Sequence, residues 1–320
     1  MKLKFWVVAL GVSIALSACG SGDAPADSAT ASPSMPATGT TADASAVDQS
    51  VAAAAGLGAE LDALAHRSRL VGHSNDIKRL QRAYGYYLDN ALWDDIADLF
   101  ADDATLEIGL DGVYVGRERI RDYFYALGNG TSGLAEGELN EHLQLMPVVT
   151  VAPDGLTARG RWRDIILAGQ LGEYAVWGEG PFENEYVNED GVWKISKLHW
   201  FQTMLVAFEG GWHLNDDYNG GIWVSDRLAP DAPTTFEYEP WPGTFLPPFH
   251  FDNPVLDVEA VDLGTFAPPR AGARDLAAVA ADLATVEGEV ARIEDENAIE
   301  NLQRIYGFYV EEGFWSEAAD

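Results

Sequence analysis

Residues 86–108 read YYLDNALWDDIADLFADDATLEI, and the period of the apolar positions changes inside this one stretch. Trp93 to Phe100 read as a helical stretch, with Trp93, Ile96 and Phe100 three and four residues apart. Thr105-Leu106-Glu107-Ile108 alternates polar with apolar, which predicts a short strand. Upstream, Ser74-Asn75-Asp76 supplies a helix start, and Ile77, Leu80, Tyr84 and Leu88 form the apolar face of the helix that follows. Downstream, Val113–Val115 predicts a second short strand, Glu118–Tyr125 a helix and Gly128–Gly137 a glycine-rich loop. Long strands follow at about Glu141–Val151, Ala158–Leu167, Glu173–Val187 and Val192–Phe201, the last two joined by a turn at Asn188-Glu189-Asp190-Gly191. Helices first and an antiparallel sheet after them predict an α+β fold.

The chain starts MKLKFWVVALGVSIALSACG, with Lys2 and Lys4 ahead of an apolar run from Phe5 to Leu16 and small residues after it. This is the layout of a secretory signal, too short for a permanent span. The run closes on Cys19, the only cysteine, so no disulfide forms within one chain. LSAC resembles the lipobox of bacterial lipoproteins, which implies cleavage before Cys19 and lipidation on it; an ordinary signal with an incidental cysteine is the alternative. Gly20 resembles sequences sorted to the outer membrane, so the expected location is the cell envelope, at the periplasmic face of that membrane. From Gly20 to Gly56 the composition falls to Ala, Ser, Thr, Pro, Gly and Asp, which predicts a disordered tether. With 20 Lys+Arg against 51 Asp+Glu the formal charge is -31, opposed to nucleic acid and to anionic lipid surfaces. Membrane contact is expected through the lipid anchor only.

The segment IKRLQRAYGYYLDNALWDDIAD (77–98) returns as IENLQRIYGFYVEEGFWSEAAD (299–320). Leu80/Leu302, Gln81/Gln303, Arg82/Arg304, Tyr84/Tyr306, Gly85/Gly307, Tyr87/Tyr309 and Trp93/Trp315 coincide at a constant offset of 222 residues. Leu57, Leu61, Leu64 and Val71 match Val279, Leu283, Val286 and Ile293 at the same offset, so the match is a duplication. The expected domains are a signal over 1–19, the tether over 20–56, a first α+β domain over 57–208, an aromatic and proline-rich extension over 209–272, and over 273–320 the helical start of a truncated second repeat. In the competing reading the terminal helices pack back on the first domain or pair between chains as a coiled coil.

YYLDNALWDDIADLFADDATLEI, then GRERIRDYF, then DGVWKISKLHW, over about Asp76 to Phe201, resemble the SnoaL-like branch of the nuclear transport factor 2-like superfamily. The resemblance implies a strongly curved antiparallel sheet wrapped by N-terminal helices into a cone, an α+β barrel with a pocket at its open end. Within the superfamily, scytalone dehydratase has a helix-end Asp before an Asp-Trp-Asp run, similar to Leu88-Asp89-Asn90-Ala91-Leu92-Trp93-Asp94, and a strand His similar to Glu141-His142-Leu143. The comparison places Asp89 and His142 at acid/base positions. It departs at Leu88 and near Leu110, where tyrosines stand in that enzyme, and at Asp164 to Ile166, where its second histidine falls.

A histidine near neutrality both takes and gives protons, and a neighbouring carboxylate fixes its tautomer. Asp89 and His142 therefore suit proton abstraction beside a carbonyl, with Tyr84, Tyr87, Trp93 and Trp162 as pocket walls. Asp89 as a solvated helix end and His142 as a satisfied structural histidine remain open, and His199 beside Trp200 reads as packing. No metal and no cofactor is expected, since no His/Cys/carboxylate cluster has ligand spacing and Gly128-Asn129-Gly130 lacks the context of a phosphate cradle. The extension reads as a cover on the cone mouth, a sugar- or lipid-contacting surface, or irregular chain packed on the domain. Two functions stay in view. One is a dehydratase- or cyclase-type lyase or isomerase acting on a small, oxygenated, partly apolar molecule. The other is an envelope lipoprotein that binds such a molecule, or a scaffold, without catalysis. SnoaL-like domains commonly dimerise through the sheet, so a homodimer is expected.

Overall fold

The structure, a computed structural model, describes residues 44–213, 224–252, 276–311 and 313–319. The signal, Cys19 and most of the tether lie outside the described residues. The chain divides into two units, Met1–Val47 and Asp48–Asp320, and the sheet, the core and the C-terminal helices all belong to the second.

Helix α1 (Ala44–Asp89) begins within the predicted tether. Its alanine-rich start carries high intrinsic helix propensity, which the small-residue composition concealed. The helix runs unbroken through Ser74–Asp76, where the sequence predicted a start. Those polar side chains find partners other than a cap. Asn75 Nδ2 donates to Glu296 at 2.7 Å on a C-terminal helix, and Asp76 lies 3.5 Å from Arg79. A short helix α2 (Trp93–Asp98) follows a tight turn in which Ala91 adopts φ 53°.

The sheet comprises β1 (Phe100–Ile108), β2 (Val113–Val115), β3 (Glu138–Val151), β4 (Thr157–Gln170), β5 (Tyr174–Glu189), β6 (Val192–Trp200) and β7 (Met204–Ala207), with α3 (Arg117–Leu127) after β2. Its order is β2-β1-β6-β5-β4-β3, with β7 paired to β5. The edge strands β2 and β3 do not meet, so the sheet curves without closing. Every pair is antiparallel except β1 with β6, which the long connection between them allows to run parallel. The predicted Asn188–Gly191 turn joins β5 to β6 with Asp190 at φ 52° and Gly191 at φ 89°, the pair of positive values that a twisted two-residue hairpin turn demands. Where β5 and the end of β6 close on each other, Gly180 is required. A Cβ there would lie 2.1 Å from the Phe201 carbonyl and 2.8 Å from the Trp200 ring.

The core lies between the inner sheet face and α1–α3. Tyr84 stands edge-on to Phe100, Phe124 and Phe182, with Trp93 stacked on Phe124. The extension runs from the β1–β2 turn onto the other face. Asp111 accepts from the backbone N–H groups of Val224 and Ser225, and Glu107 accepts from the N–H and hydroxyl of Thr235. Farther on, Phe236, Tyr238 and Phe245 close over Phe201. His250 then reaches Glu183 on β5, whose carboxylate also pairs with Arg161. The extension thus starts against α3, where Val224 joins the core cluster and Arg227 donates to the Ala126 carbonyl, and from Thr235 to Asp252 it lies across the outside of the sheet. Residues 214–223 and 253–272 of the extension lie outside the described residues.

Candidate functional site

Strand alternation determines which polar side chains enter the interior. On β3, Asn140, His142 and Gln144 share the inner face, and the register sets His142 opposite Ile166 and Gln144 opposite Asp164. On β4, Trp162 and Asp164 face inward; on β5, Asn184 and Tyr186 do. Helix α1 lies over this face and brings in Gln81, Tyr84, Leu88 and Asp89.

His142 sits at the centre. Its Nδ1 lies 3.2 Å from Asp164 Oδ2 and its Nε2 lies 3.3 Å from Asn140 Oδ1. Asn140 cannot turn without loss, because its Nδ2 donates to the Leu88 carbonyl at 2.8 Å. Each ring nitrogen therefore meets an acceptor oxygen. The protonated ring satisfies both, and the neutral ring must give up one. The main-chain N–H of His142 donates to Asp89 Oδ1 at 2.7 Å. Asp89 thus grips the strand beneath the histidine, while Asp164, rather than Asp89, pairs with the ring. Burial pushes the Asp89 carboxyl above its ordinary range, and the His142 N–H works against that shift.

Behind Asp164 the hydrogen bonds continue with one polarity. Gln144 Nε2 donates to Asp164 Oδ1 at 2.9 Å, and Gln81 Nε2 to Gln144 Oε1 at 2.8 Å. Gln81 Oε1 accepts from the Tyr186 hydroxyl at 2.8 Å and from Asn184 Nδ2 at 3.0 Å. Trp162 Nε1 donates to the Tyr186 oxygen at 2.9 Å. Gln81, Asp164, Asn184 and Tyr186 are all buried. Every donor in this series points toward the Asp164 carboxylate, which is what a buried negative charge needs.

Of the predicted pocket residues, Tyr84, Trp93 and Trp162 are buried, the first two against other aromatic rings, while Tyr87 is half-buried. Burial, reinforced by Asp164, drives the Tyr84 hydroxyl far above its usual range. Trp93 also donates from its indole to the Thr131 carbonyl at 2.7 Å. His199 faces outward beneath the extension, stacked on Phe201 at 3.8 Å between centroids. Sequence reading missed Asp164, Gln81, Gln144 and Asn184 as site residues. The available signal was Trp162-x-Asp164-x-Ile166, a carboxylate in phase with the apolar positions of a strand. Among the described residues, no group of three or more His, Cys, Asp or Glu could hold a metal ion, and no helix is long and apolar enough to cross a membrane.

Residues 72–199 match the model of the SnoaL-like domain family. No curated protein matches the chain. Similar solved structures include a candidate scytalone dehydratase from Novosphingobium aromaticivorans DSM 12444, 20% identical over 44% of this chain and 91% of its own, with a TM-score of 0.39. A type 2 hexachlorocyclohexane dehydrochlorinase (LinA) is 24% identical over 47% of this chain and 94% of its own, with a TM-score of 0.38. A protein of unknown function from Mycobacterium tuberculosis is 21% identical over 40% of this chain and 69% of its own, with a TM-score of 0.34.

Proposed function

We propose that the SnoaL-like domain binds a small, oxygenated, partly apolar molecule and acts on it as a lyase or isomerase without a cofactor, with His142 as the acid/base. One observation carries this reading: a ring only 13% exposed at its side chain stands between a buried carboxylate and a fixed amide oxygen. Asp164 orients the ring and offsets the charge it gains on taking a proton, and the amide series behind it holds that carboxylate in place. Asp89 positions the strand from below. When a substrate displaces the Asn140 contact, Nε2 becomes the nitrogen that takes a proton beside a carbonyl or returns one to a leaving oxygen.

A second reading, binding without turnover, draws support from the interior side chains. Trp93, Trp162 and Phe182 fill space that a substrate of any size would need. In either reading the domain works from a lipid anchor at Cys19, on the periplasmic side of the envelope, and contact with a second copy through the sheet is part of the proposal.

The test is to identify by mass spectrometry the small molecule that copurifies with the chain, then to measure its conversion by the wild type, His142→Gln and Asp164→Asn. Losses on the order of a hundredfold or more with the fold retained are expected, the usual contribution of a positioned acid/base. Tight binding with no conversion by the wild type would favour the second reading.

A further inference from the structure

The C-terminal helices α4 (Leu276–Glu311) and α5 (Trp315–Ala319) repeat α1 and α2 in sequence, and the structure repeats their turn bond for bond. In the first copy Ala91 N–H donates to Leu88 O, Leu92 N–H to Tyr87 O and Ile96 N–H to Leu92 O. In the second, Gly313 N–H donates to Val310 O, Phe314 N–H to Tyr309 O and Ala318 N–H to Phe314 O, the same positions at the 222-residue offset. Ala91 and Gly313, which correspond, both hold positive φ, at 53° and 72°.

Burial is where the copies part. Ile77, Tyr84 and Trp93 are 0%, 1% and 3% exposed, whereas their counterparts Ile299, Tyr306 and Trp315 are 66%, 50% and 67% exposed. Gln81, the hub of the buried amide series, corresponds to the exposed Gln303. Packing of α4 on α1 does not use this stripe. It uses Glu296 and Glu300, which meet Asn75, Arg79 and Arg82 at 2.7, 3.2 and 2.9 Å. The unused face has the apolar spacing of a core-facing helix together with one amide, and the first copy shows what such a face receives.

We propose that α4 and α5 open a second SnoaL-like domain, and that the Ile299, Leu302, Gln303, Tyr306 and Trp315 face takes a curved antiparallel sheet carried by the same polypeptide beyond Asp320. The sheet presents aromatic side chains around Tyr306 and at least two polar groups to Gln303, since a buried primary amide left unpartnered is costly. The α1–α4 contact then becomes the joint between two like domains. This inference rests on the repeat and stands or falls independently of catalysis at His142.

The experiment reads the coding frame past codon 320, and compares amide hydrogen exchange over 299–311 in the 320-residue chain and in the full product. Expected are an open frame encoding further strands and exchange over 299–311 slowed about a hundredfold or more in the longer chain, as for a helix sealed into a core. A stop codon after Asp320 would overturn the proposal. So would equally fast exchange in both chains, or protection that appears in the 320-residue chain on raising its concentration, which would make a second copy the occupant.

Discussion

At the scale of single residues, two histidines receive opposite treatment from one sheet. His142 faces inward with a carboxylate at its ring, whereas His199 faces outward, sealed beneath the extension, and burial, then Lys197, depresses its pKa to about 3. Glu107 lies 3.5 Å from the His199 ring but is already committed to Thr235, so burial prevails. The folded state therefore holds His199 neutral, while the unfolded chain protonates it below its ordinary value of 6.5. Its contribution to stability is intact above that value and is lost as pH falls toward 3, with an upper cost on the order of 5 kcal/mol. Urea midpoints measured across this window should fall steeply for the wild type and less for His199→Phe; equal slopes would contradict the assignment. Asp89 has the opposite sign, because its raised pKa makes the ionised form unfavourable in the fold as pH climbs past the ordinary carboxylate value. Asp89→Asn keeps an oxygen for the His142 N–H and should leave neutral-pH stability equal or higher, which thermal unfolding at pH 7 checks.

At the scale of elements, the α1–sheet interface depends on an amide hub. Gln81→Leu removes an acceptor shared by Tyr186 and Asn184 and a donor to Gln144, leaving several buried polar groups unpaired. Each such group costs about 1–3 kcal/mol, so the variant should lose several kcal/mol in urea unfolding. The double variant Gln81→Leu/Asn184→Leu should lose less than the sum of the two singles, because the sites share one network. Much at this scale was legible in the sequence. The α3 segment, the four long strands and the β5–β6 turn follow from apolar period and turn chemistry, which are local; the helix-to-strand switch was legible too, but the helix ends at Asp98 and β1 starts at Phe100, earlier than the Phe100-to-Thr105 switch the period predicts. The unbroken course of α1 through Ser74–Asp76 was not legible, because Asn75 finds its partner 221 positions away and Asp76 finds one within the helix rather than at a cap. The parallel β1–β6 pairing was hidden for a related reason: period alone does not encode strand order. The site was half legible. His142 and Asp89 carried it through resemblance, whereas Asp164 and its amides become a unit only once register sets β3 against β4 and α1 above both.

At the scale of the whole molecule, a formal charge of -31 and a lone cysteine after an apolar run bear on where the domain works. Cys19→Ala should move the protein from the membrane to the soluble fraction and abolish labelled palmitate incorporation; unchanged fractionation would remove the lipid anchor from the account. The extension and α4 use different surfaces, 224–228 packing on α3, 235–252 crossing the outer sheet face and α4 pairing along α1. Both leave the inner face to the helices and the His142 site.

If His142 moves protons on a bound molecule, isotope exchange reads that transfer without further assumption. The copurifying molecule is incubated in heavy water with the wild type and with His142→Gln, and its mass is followed. The account predicts deuterium entering the bound molecule, or its conversion, with the wild type, and a rate on the order of a hundredfold lower with the variant. A molecule that binds both proteins and stays unlabelled and unconverted in both would contradict it.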